Sequence, residues 1–217
     1  MTLLGLTLGG LVACGGGGGG NTLPETRQAI LSTRSAKMIT VDGLQFRDLD
    51  GNGQLTPYED WRLTSTQRTA DLMGRMTFEQ KAGLLVHGTL PVSGISYALT
   101  GVNSVTDLIG QRMMTTFTTR LSTTPSNIAT ANNLVQEIAE KQPLGIPVVI
   151  STDPLNGFSV TAAQTVASVG TTAMPDPIAT SDPALVRQRA DIVRQEYRAV
   201  GINEALSPQA DIATEPR

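Results

Sequence analysis

Oxygen-bearing side chains occupy alternate positions at the start of DLDGNGQLTPYE, residues 48 to 59. An EF-hand loop takes oxygen ligands from its first, third, fifth and twelfth residues and a backbone carbonyl from its seventh, with glycine sixth for a sharp turn. Gly53 holds that sixth position, so the spacing predicts a structural Ca²⁺ site with the ligands Asp48, Asp50, Asn52, Gln54 and Glu59. The alternative is a turn rich in Asp and Asn whose side chains cap their own backbone.

The residues around this loop do not resemble a paired calcium sensor. The preceding stretch MITVDGLQF contains Gly43 and β-branched residues and does not predict an entering helix, and Pro57 lies inside the loop. A single loop of modest affinity suits an extracellular protein, where such sites act as structural clips. The sequence therefore predicts an EF-hand-like region over residues 36 to 62.

A second group of polar side chains follows two segments predicted to be buried strands, one of which is the β-branched run IPVVIS. Asp153 comes shortly after IPVVIS, and INEALSP is followed by Asp211, Glu215 and Arg217. In a parallel-stranded barrel, polar residues just beyond the C-terminal ends of strands build the site. A carboxylate there can accept two hydrogen bonds from adjacent sugar hydroxyls, and a guanidinium can donate two. The alternative for Asp153 is a turn at the strand end that leads into Pro154.

Helical periodicity alternates with these runs in the second half of the chain. Ser126 is the predicted N-cap of a helix with one apolar stripe, formed by Ile128, Ala131, Val135 and Ile138. Asp182 and Pro183 begin another helix, as N-cap and first-turn proline, and Gly201 ends it at the C′ position. The stripe expected on this second helix is Val186, Ala190, Val193, Tyr197 and Val200.

The first half of the chain is less regular. A short helix is predicted within residues 64 to 76, and Thr77 with Gln80 forms a capping box that opens another. The segments GLLVHGTL and MTTFTTRL are typical of strands. Residues 91 to 112 are expected to form a loop with one short helix near VTDLIGQRM. His87 and Trp61 are expected to be structural residues rather than catalytic or sugar-stacking ones.

The order of these elements predicts an α/β fold. Strands and helices that alternate through short connections indicate right-handed βαβ units in a parallel sheet. A (β/α)8 barrel and a doubly wound sheet fit this order equally well. No GxGxxG sequence follows either clear strand, which removes the main sign of a dinucleotide-binding fold.

The N-terminus has the features of an export signal. MTLLGLTLGGLVAC is apolar over the length of a signal-peptide core and is too short to cross a bilayer as a helix. Its end resembles a bacterial lipobox, so residues 1 to 14 are predicted to be a lipoprotein signal peptide that ends at the lipidated Cys14. The alternative is a plain secretory signal with an incidental cysteine. Residues 15 to 35, which begin with a glycine run, are expected to form a flexible linker. The expected location is therefore outside the cytoplasm, anchored to a bacterial membrane.

The composition does not favour a nucleic-acid partner, and none is expected. The formal net charge is −3 and aromatic residues make up 4% of the chain. Neither a basic surface for phosphates nor a set of stacking rings for single strands is evident.

Three segments of the chain resemble glycoside hydrolase family 3, the family of β-glucosidases and β-xylosidases. They are MTFEQKAGLL, LGIPVVISTDPLNG and the stretch from MPDPIATSDP to ATEPR. The resemblance implies that residues 63 to 217 are the first half of an incomplete (β/α)8 TIM-like barrel. It also implies that Asp153 and Arg217 bind the sugar at the cleavage subsite. Many β-glucosidases of the family have His-Gly where Asn156 and Gly157 stand here.

The resemblance implies a retaining, exo-acting β-glycosidase that acts on β-linked oligosaccharides or glycosides without a catalytic cofactor. A retaining mechanism needs two carboxyl groups on either side of the bond. No carboxylate in residues 1 to 217 matches the family's nucleophile or acid/base, so this polypeptide alone is expected to be an inactive N-terminal part. The alternative is a non-catalytic surface lipoprotein with a glycan-binding or calcium-binding surface.

Overall fold

The computed structural model describes residues 27–152 and 182–206. The strands are β1 (Lys37–Val41), β2 (Leu44–Asp48), β3 (His87–Thr89), β4 (Val92–Ser93), β5 (Ser96–Tyr97), β6 (Thr116–Thr118), β7 (Val149–Thr152) and β8 (Glu204–Ala205). The helices are α1 (Ser65–Arg75), α2 (Phe78–Leu84), α3 (Pro125–Glu140) and α4 (Pro183–Ala199), with a π-helical segment at Asp107–Gln111. Over these two ranges, no helix combines the length and the apolar character that crossing a membrane requires.

A four-stranded parallel sheet forms the centre of the described fold. Its strands lie in the order β3, β6, β7, β8, which is also their order along the chain. Helix α3 connects β6 to β7, and α4 precedes β8. The predicted α/β class with a parallel sheet is confirmed. Strands β3, β6 and β8 lie within the segments predicted for them, whereas β7 extends one residue past IPVVIS, to Thr152.

The register gives this sheet one apolar face and one polar face. Phe117 on β6 pairs with Ile150 on β7, and both side chains are fully buried. On the opposite face, Thr118 pairs with Ser151, which in turn pairs with Glu204 on β8. The apolar face carries the core, because side chains alternate between the two faces along each strand.

Helix α3 covers the apolar face with the predicted stripe. Ile128, Ala131 and Val135 are buried, and Ile138 packs against the same cluster. The stripe predicted on α4 is correct in part: Tyr197 and Val200 are buried and Val193 packs against the core, whereas Val186 is only partly buried and Ala190 is exposed. Asp182 caps α4 as predicted, and Gly201 follows its end with a φ of 85°.

Two local predictions are wrong. The N-cap of α3 is Thr124, not Ser126; its hydroxyl accepts the Asn127 N–H at 3.3 Å, and Pro125 takes the first helical position. Proline is favoured there because its fixed φ suits the first turn and its missing N–H needs no partner. The segment expected to be loop contains the short hairpin β4–β5 in addition to the predicted helix, which is π-helical.

A carboxylate at the end of α3 fastens the N-terminal part of the described chain. Glu140 Oε2 accepts the backbone N–H groups of Arg34 at 2.7 Å, Ser35 at 2.6 Å and Ala36 at 3.0 Å. We call this arrangement the Glu140 clasp. It joins residues that are 104 to 106 positions apart in the sequence.

Replacing Glu140 with glutamine is expected to lower the free energy of unfolding by about 1–2 kcal/mol, because a neutral amide oxygen accepts these bonds more weakly than a carboxylate. Urea denaturation measures the loss, and hydrogen exchange should accelerate at the amides of residues 34 to 36. Glu137→Gln is the matched control, since Glu137 forms an exposed ion pair with Lys141. Equal losses for the two variants would contradict this prediction.

Candidate functional site

The segment from residue 48 to residue 59, here called the acidic loop, begins at the end of a β-hairpin. Strands β1 and β2 pair antiparallel around a turn in which Asp42 and Gly43 have φ values of 53° and 76°. Asp-Gly is the usual pair for such a turn, because both central residues need positive φ. The absence of an entering helix is therefore confirmed, and the Asp-Gly pair could have predicted the hairpin.

The structure brings three of the five predicted metal ligands together. One carboxylate oxygen from each of Asp48, Asp50 and Glu59 lies within 4.8 Å of the other two. Asp48 and Glu59 are only 3% and 4% exposed, so two of these three carboxylates are buried. Asn52 and Gln54 are exposed and contact the loop through hydrogen bonds.

Side chains of the acidic loop cap its own backbone. Asp50 Oδ1 accepts the Asn52 N–H at 3.1 Å, and Asn52 Oδ1 accepts the Gln54 N–H at 2.6 Å. Asp48 Oδ2 accepts the Gly53 N–H at 3.1 Å. These are the contacts expected of the self-capping turn that the sequence offered as the alternative to a metal site.

Glu59 closes the loop by accepting hydrogen bonds from four donors. Its Oε1 accepts the N–H groups of Leu49 at 2.6 Å and Asp50 at 3.2 Å. Its Oε2 accepts the N–H of Thr56 at 3.0 Å and the Thr56 hydroxyl. A carboxylate has about four lone-pair sites. In this arrangement, Glu59 has little capacity left for a further ligand.

Asp48 differs from Glu59 because one of its oxygens is unsatisfied. Among the described residues, Asp48 Oδ1 is buried and has no hydrogen-bond partner. A buried carboxylate oxygen without a donor or cation is costly. Self-capping alone therefore does not account for the loop, and a hard cation such as Ca²⁺, which prefers oxygen ligands, fits this donor set.

Arg75, the last residue of α1, is the cation that pairs with a carboxylate of the acidic loop in the described residues. Its Nη1 lies 3.7 Å from Asp50 Oδ2, while its Nε donates to Asp71 Oδ2 at 2.8 Å. The guanidinium also lies over the Tyr58 ring, 5.6 Å from the centroid. The hydrogen bond to Asp71, aided by the charges of Asp71 and Asp50, raises the pKa of Arg75.

Tyr58 connects the acidic loop to the parallel-sheet domain. Its hydroxyl donates to Leu144 O at 3.2 Å, and its N–H donates to Asp71 Oδ2 at 3.1 Å. Burial raises the pKa of this hydroxyl, and the negative charges of Glu59 and Asp50 raise it further. Gly145 packs closely on the loop, because a Cβ there would lie 2.6 Å from Leu49 O. The loop is thus docked on α1 and on the connection between α3 and β7.

Trp61 packs within the hairpin region. Its ring stacks on Phe46 with centroids 5.3 Å apart, and its Nε1–H donates to Gln45 O at 3.0 Å. These contacts are those of a packing residue, as the sequence predicted, rather than of a free platform for a sugar ring.

The polar face of the parallel sheet holds a triangle of side chains. His87 Nε2 lies 2.8 Å from Ser151 Oγ and 3.1 Å from Thr118 Oγ1, and the two hydroxyl oxygens are 3.1 Å apart. The triangle joins β3, β6 and β7. His87 was expected to be structural, but its partners could not be identified from sequence because they lie 31 and 64 positions away.

Several predicted functional residues lie outside the described residues. They are Cys14, Asp153, Asp211, Glu215 and Arg217. Asp153 is the residue that follows Thr152, the last residue of β7. Their functions therefore stay predictions.

Comparison with known proteins gives consistent matches. Residues 104–217 match the family description "Glycosyl hydrolase family 3 N terminal domain". The chain is 48% identical over 201 residues to a protein of Dickeya chrysanthemi named periplasmic beta-glucosidase/beta-xylosidase, which covers 88% of this chain and 30% of that protein.

Two fungal proteins are also similar. The chain is 37% identical over 167 residues to the probable beta-glucosidase C of Aspergillus oryzae, covering 74% of this chain and 26% of that protein. It is 39% identical over 155 residues to the beta-glucosidase C of Emericella nidulans, covering 70% and 25% respectively. The chain thus spans 25% to 30% of the length of these curated relatives.

Proposed function

This chain belongs to glycosyl hydrolase family 3, and on that premise we propose that it forms the N-terminal part of a retaining, exo-acting β-glycosidase. Its substrates would be terminal β-linked sugars on oligosaccharides or glycosides. The names of the relatives, β-glucosidase and β-glucosidase/β-xylosidase, support this substrate class.

We propose that the fold is the first half of a (β/α)8 barrel, and the order of the strands supports this. In a barrel, neighbouring strands follow one another along the chain, whereas a doubly wound sheet reverses its order at a switch point. The described parallel strands lie in the order β3, β6, β7, β8 without a reversal. Between the two folds that the sequence left open, this order favours the barrel.

Asp153 and Arg217 are the proposed sugar-binding residues. Asp153 directly follows β7, and the C-terminal end of a parallel strand is where barrel enzymes place their functional groups. A carboxylate and a guanidinium at this edge would hold sugar hydroxyls through charge-assisted hydrogen bonds. Since the relatives are more than three times as long as the matched part, we place the nucleophile and the acid/base residue outside residues 1 to 217.

The test compares the polypeptide made from the complete reading frame with residues 1 to 217 alone. Release of the aryl group from paired aryl β-glucoside and β-xyloside substrates measures activity. We expect turnover by the complete protein and none by the short form. A folded complete protein that hydrolyses neither substrate would contradict the proposal and favour a non-catalytic surface lipoprotein.

We further propose that the protein is exported and anchored through a lipid on Cys14. The name of the Dickeya relative includes the word periplasmic, which supports export. The lipobox-like sequence before Cys14 supports the anchor. In a bacterial host, Cys14→Ser should move the protein from the membrane fraction to the soluble exported fraction, and an unchanged distribution would contradict the anchor.

For the acidic loop, we propose a structural Ca²⁺ site. The observation that supports it is the buried, unsatisfied Oδ1 of Asp48 beside Asp50 and Glu59. Asp48 and Asp50 would supply carboxylate oxygens, Asn52 an amide oxygen and Gln54 its carbonyl. Since four donors already engage Glu59, its participation would require some of these hydrogen bonds to open.

Calcium binding is measured by isothermal titration and by the luminescence of Tb³⁺ bound in place of Ca²⁺. A dissociation constant of about 10⁻⁴ to 10⁻³ M is expected for an extracellular site of this kind. At a Ca²⁺ concentration 100 times that constant, the folded state should gain about 2.7 kcal/mol over protein in EDTA. The absence of saturable binding would refute the site.

A further inference from the structure

We propose that Arg75 is the built-in counter-cation of the acidic loop: it holds the loop together without metal and lowers the affinity of the loop for Ca²⁺. This inference rests on the proposed Ca²⁺ site and adds a residue that sets its affinity. Arg75 lies on α1, outside the twelve residues of the acidic loop.

The position of the guanidinium is the first argument. Arg75 Nη1 is 3.7 Å from Asp50 Oδ2, which is close enough for a strong Coulomb interaction but too long for a good hydrogen bond. The side chain of Asp50 is only 12% exposed, so water screens this charge pair incompletely. A divalent cation bound to Asp50 would therefore be repelled by Arg75.

The second argument is that the guanidinium is held from the opposite side. Asp71, one turn earlier on α1, accepts from Arg75 Nε at 2.8 Å, and the Tyr58 ring lies beneath the guanidinium. These contacts do not depend on the metal. Arg75 therefore stays near the loop when Ca²⁺ binds, so the charge that stabilises the calcium-free loop also repels the bound metal.

The third argument is the charge imbalance of the loop. Asp48, Asp50 and Glu59 place three formal negative charges within a few ångströms, and Arg75 is the cation paired with this trio in the described chain. Removing Arg75 should destabilise the calcium-free loop through the repulsion that remains. The same removal should strengthen the binding of any metal cation.

Arg75→Met is the decisive variant, because it keeps much of the aliphatic stem and removes the charge. We expect the Ca²⁺ association constant to rise about tenfold in low salt, the order expected for a partly screened charge. The gain should be larger for Tb³⁺ than for Ca²⁺, since the repulsion grows with the charge of the metal. In EDTA, the urea midpoint of this variant should fall below that of the wild type.

Two controls separate charge from packing. Arg75→Lys keeps the positive charge and should bind Ca²⁺ within about threefold of the wild type. Arg194→Met changes the net charge equally but removes an exposed ion pair with Asp191 on α4, so it should leave the affinity unchanged. Arg75→Gln provides a second charge-removing variant, should Arg75→Met not fold.

The outcomes distinguish this inference from the Ca²⁺ site itself. If the wild type shows no saturable binding, the site and the inference both fail. If the wild type binds but the charge-removing Arg75 variants bind equally or more weakly, only the inference fails. An equal gain in Arg194→Met would also overturn it, because the effect would then come from net charge alone.

Discussion

Replacing Asp48 with asparagine is expected to weaken Ca²⁺ binding about 100-fold, or about 2.8 kcal/mol, while the calcium-free protein stays folded. Within the part of the chain that the structure describes, Asp48 Oδ1 is buried without a hydrogen-bond partner, so it is the loop oxygen most available to a cation. The amide of asparagine can still accept the Gly53 N–H through its oxygen. Loss of one negative charge also reduces repulsion among the buried carboxylates.

Titration calorimetry gives the affinity of the Asp48 variant, and urea denaturation in EDTA gives its stability. Asp42→Asn is the matched control, because Asp42 lies in the hairpin turn with a side chain that is 75% exposed. We expect no change in its Ca²⁺ affinity. An Asp48→Asn protein that binds Ca²⁺ as tightly as the wild type would refute the proposed site.

Glu59→Gln should instead lower the stability of the calcium-free protein and change the Ca²⁺ affinity less than Asp48→Asn does. The reason is that Glu59 organises the loop through four hydrogen bonds. The side-chain amide nitrogen of the introduced glutamine cannot accept the hydrogen bonds that the carboxylate oxygen at the same position accepts in the wild type. A buried donor left unsatisfied costs about 1–3 kcal/mol, and the calcium-free protein should lose stability on that scale. The contrast between the two variants separates a metal ligand from a residue that shapes the loop.

Replacing Asp153 with asparagine in the complete polypeptide is expected to lower kcat/KM on an aryl β-glucoside by about 10²- to 10³-fold. The proposed function of Asp153 is to accept hydrogen bonds from sugar hydroxyls as a charged group. Each such bond contributes about 1.5–3 kcal/mol, and about 1.4 kcal/mol corresponds to a factor of ten in rate.

Asp182→Asn is a suitable comparison for the Asp153 variant, because it removes the same charge from the N-cap of α4. Asparagine caps helices as well as aspartate, so stability and activity should change little. Steady-state kinetics on paired glucoside and xyloside substrates measures both variants. Retention of more than about a tenth of wild-type kcat/KM by a folded Asp153→Asn protein would exclude the predicted sugar contact.

The features predicted well from the sequence depend on neighbouring residues. The cap of α4 by Asp182 and its end at Gly201 follow from the conformations that these residues favour. Strand β7 forms in a run of β-branched residues, which suits a buried sheet. The stripe of α3 follows from its helical period.

The features predicted poorly depend on choices between neighbouring candidates or on distant residues. Thr124 and Ser126 can both cap a helix, and Pro125 decides between them because it suits the first helical position. The exposure of Ala190 depends on which elements cover α4, and a local pattern does not contain that information.

At the acidic loop, too, the sequence predicted some features and not others. The spacing from Asp48 to Glu59 was visible in the sequence, but the use of Glu59 as a hydrogen-bond acceptor and the unsatisfied state of Asp48 were not. The approach of Arg75 to Asp50 was also hidden, since it depends on how α1 docks against the loop. Sequence spacing identifies ligand candidates, whereas folding decides which of them have a free lone pair.

The Glu140 clasp has a consequence for synthesis of the protein. Its acceptor is 104 to 106 residues downstream of its donors, and ribosomes extend a chain by about 5–20 residues per second. The donors are therefore synthesised roughly 5–20 s before the carboxylate that fastens them. Over that interval, residues 34 to 36 lack the acceptor that fastens them in the folded protein.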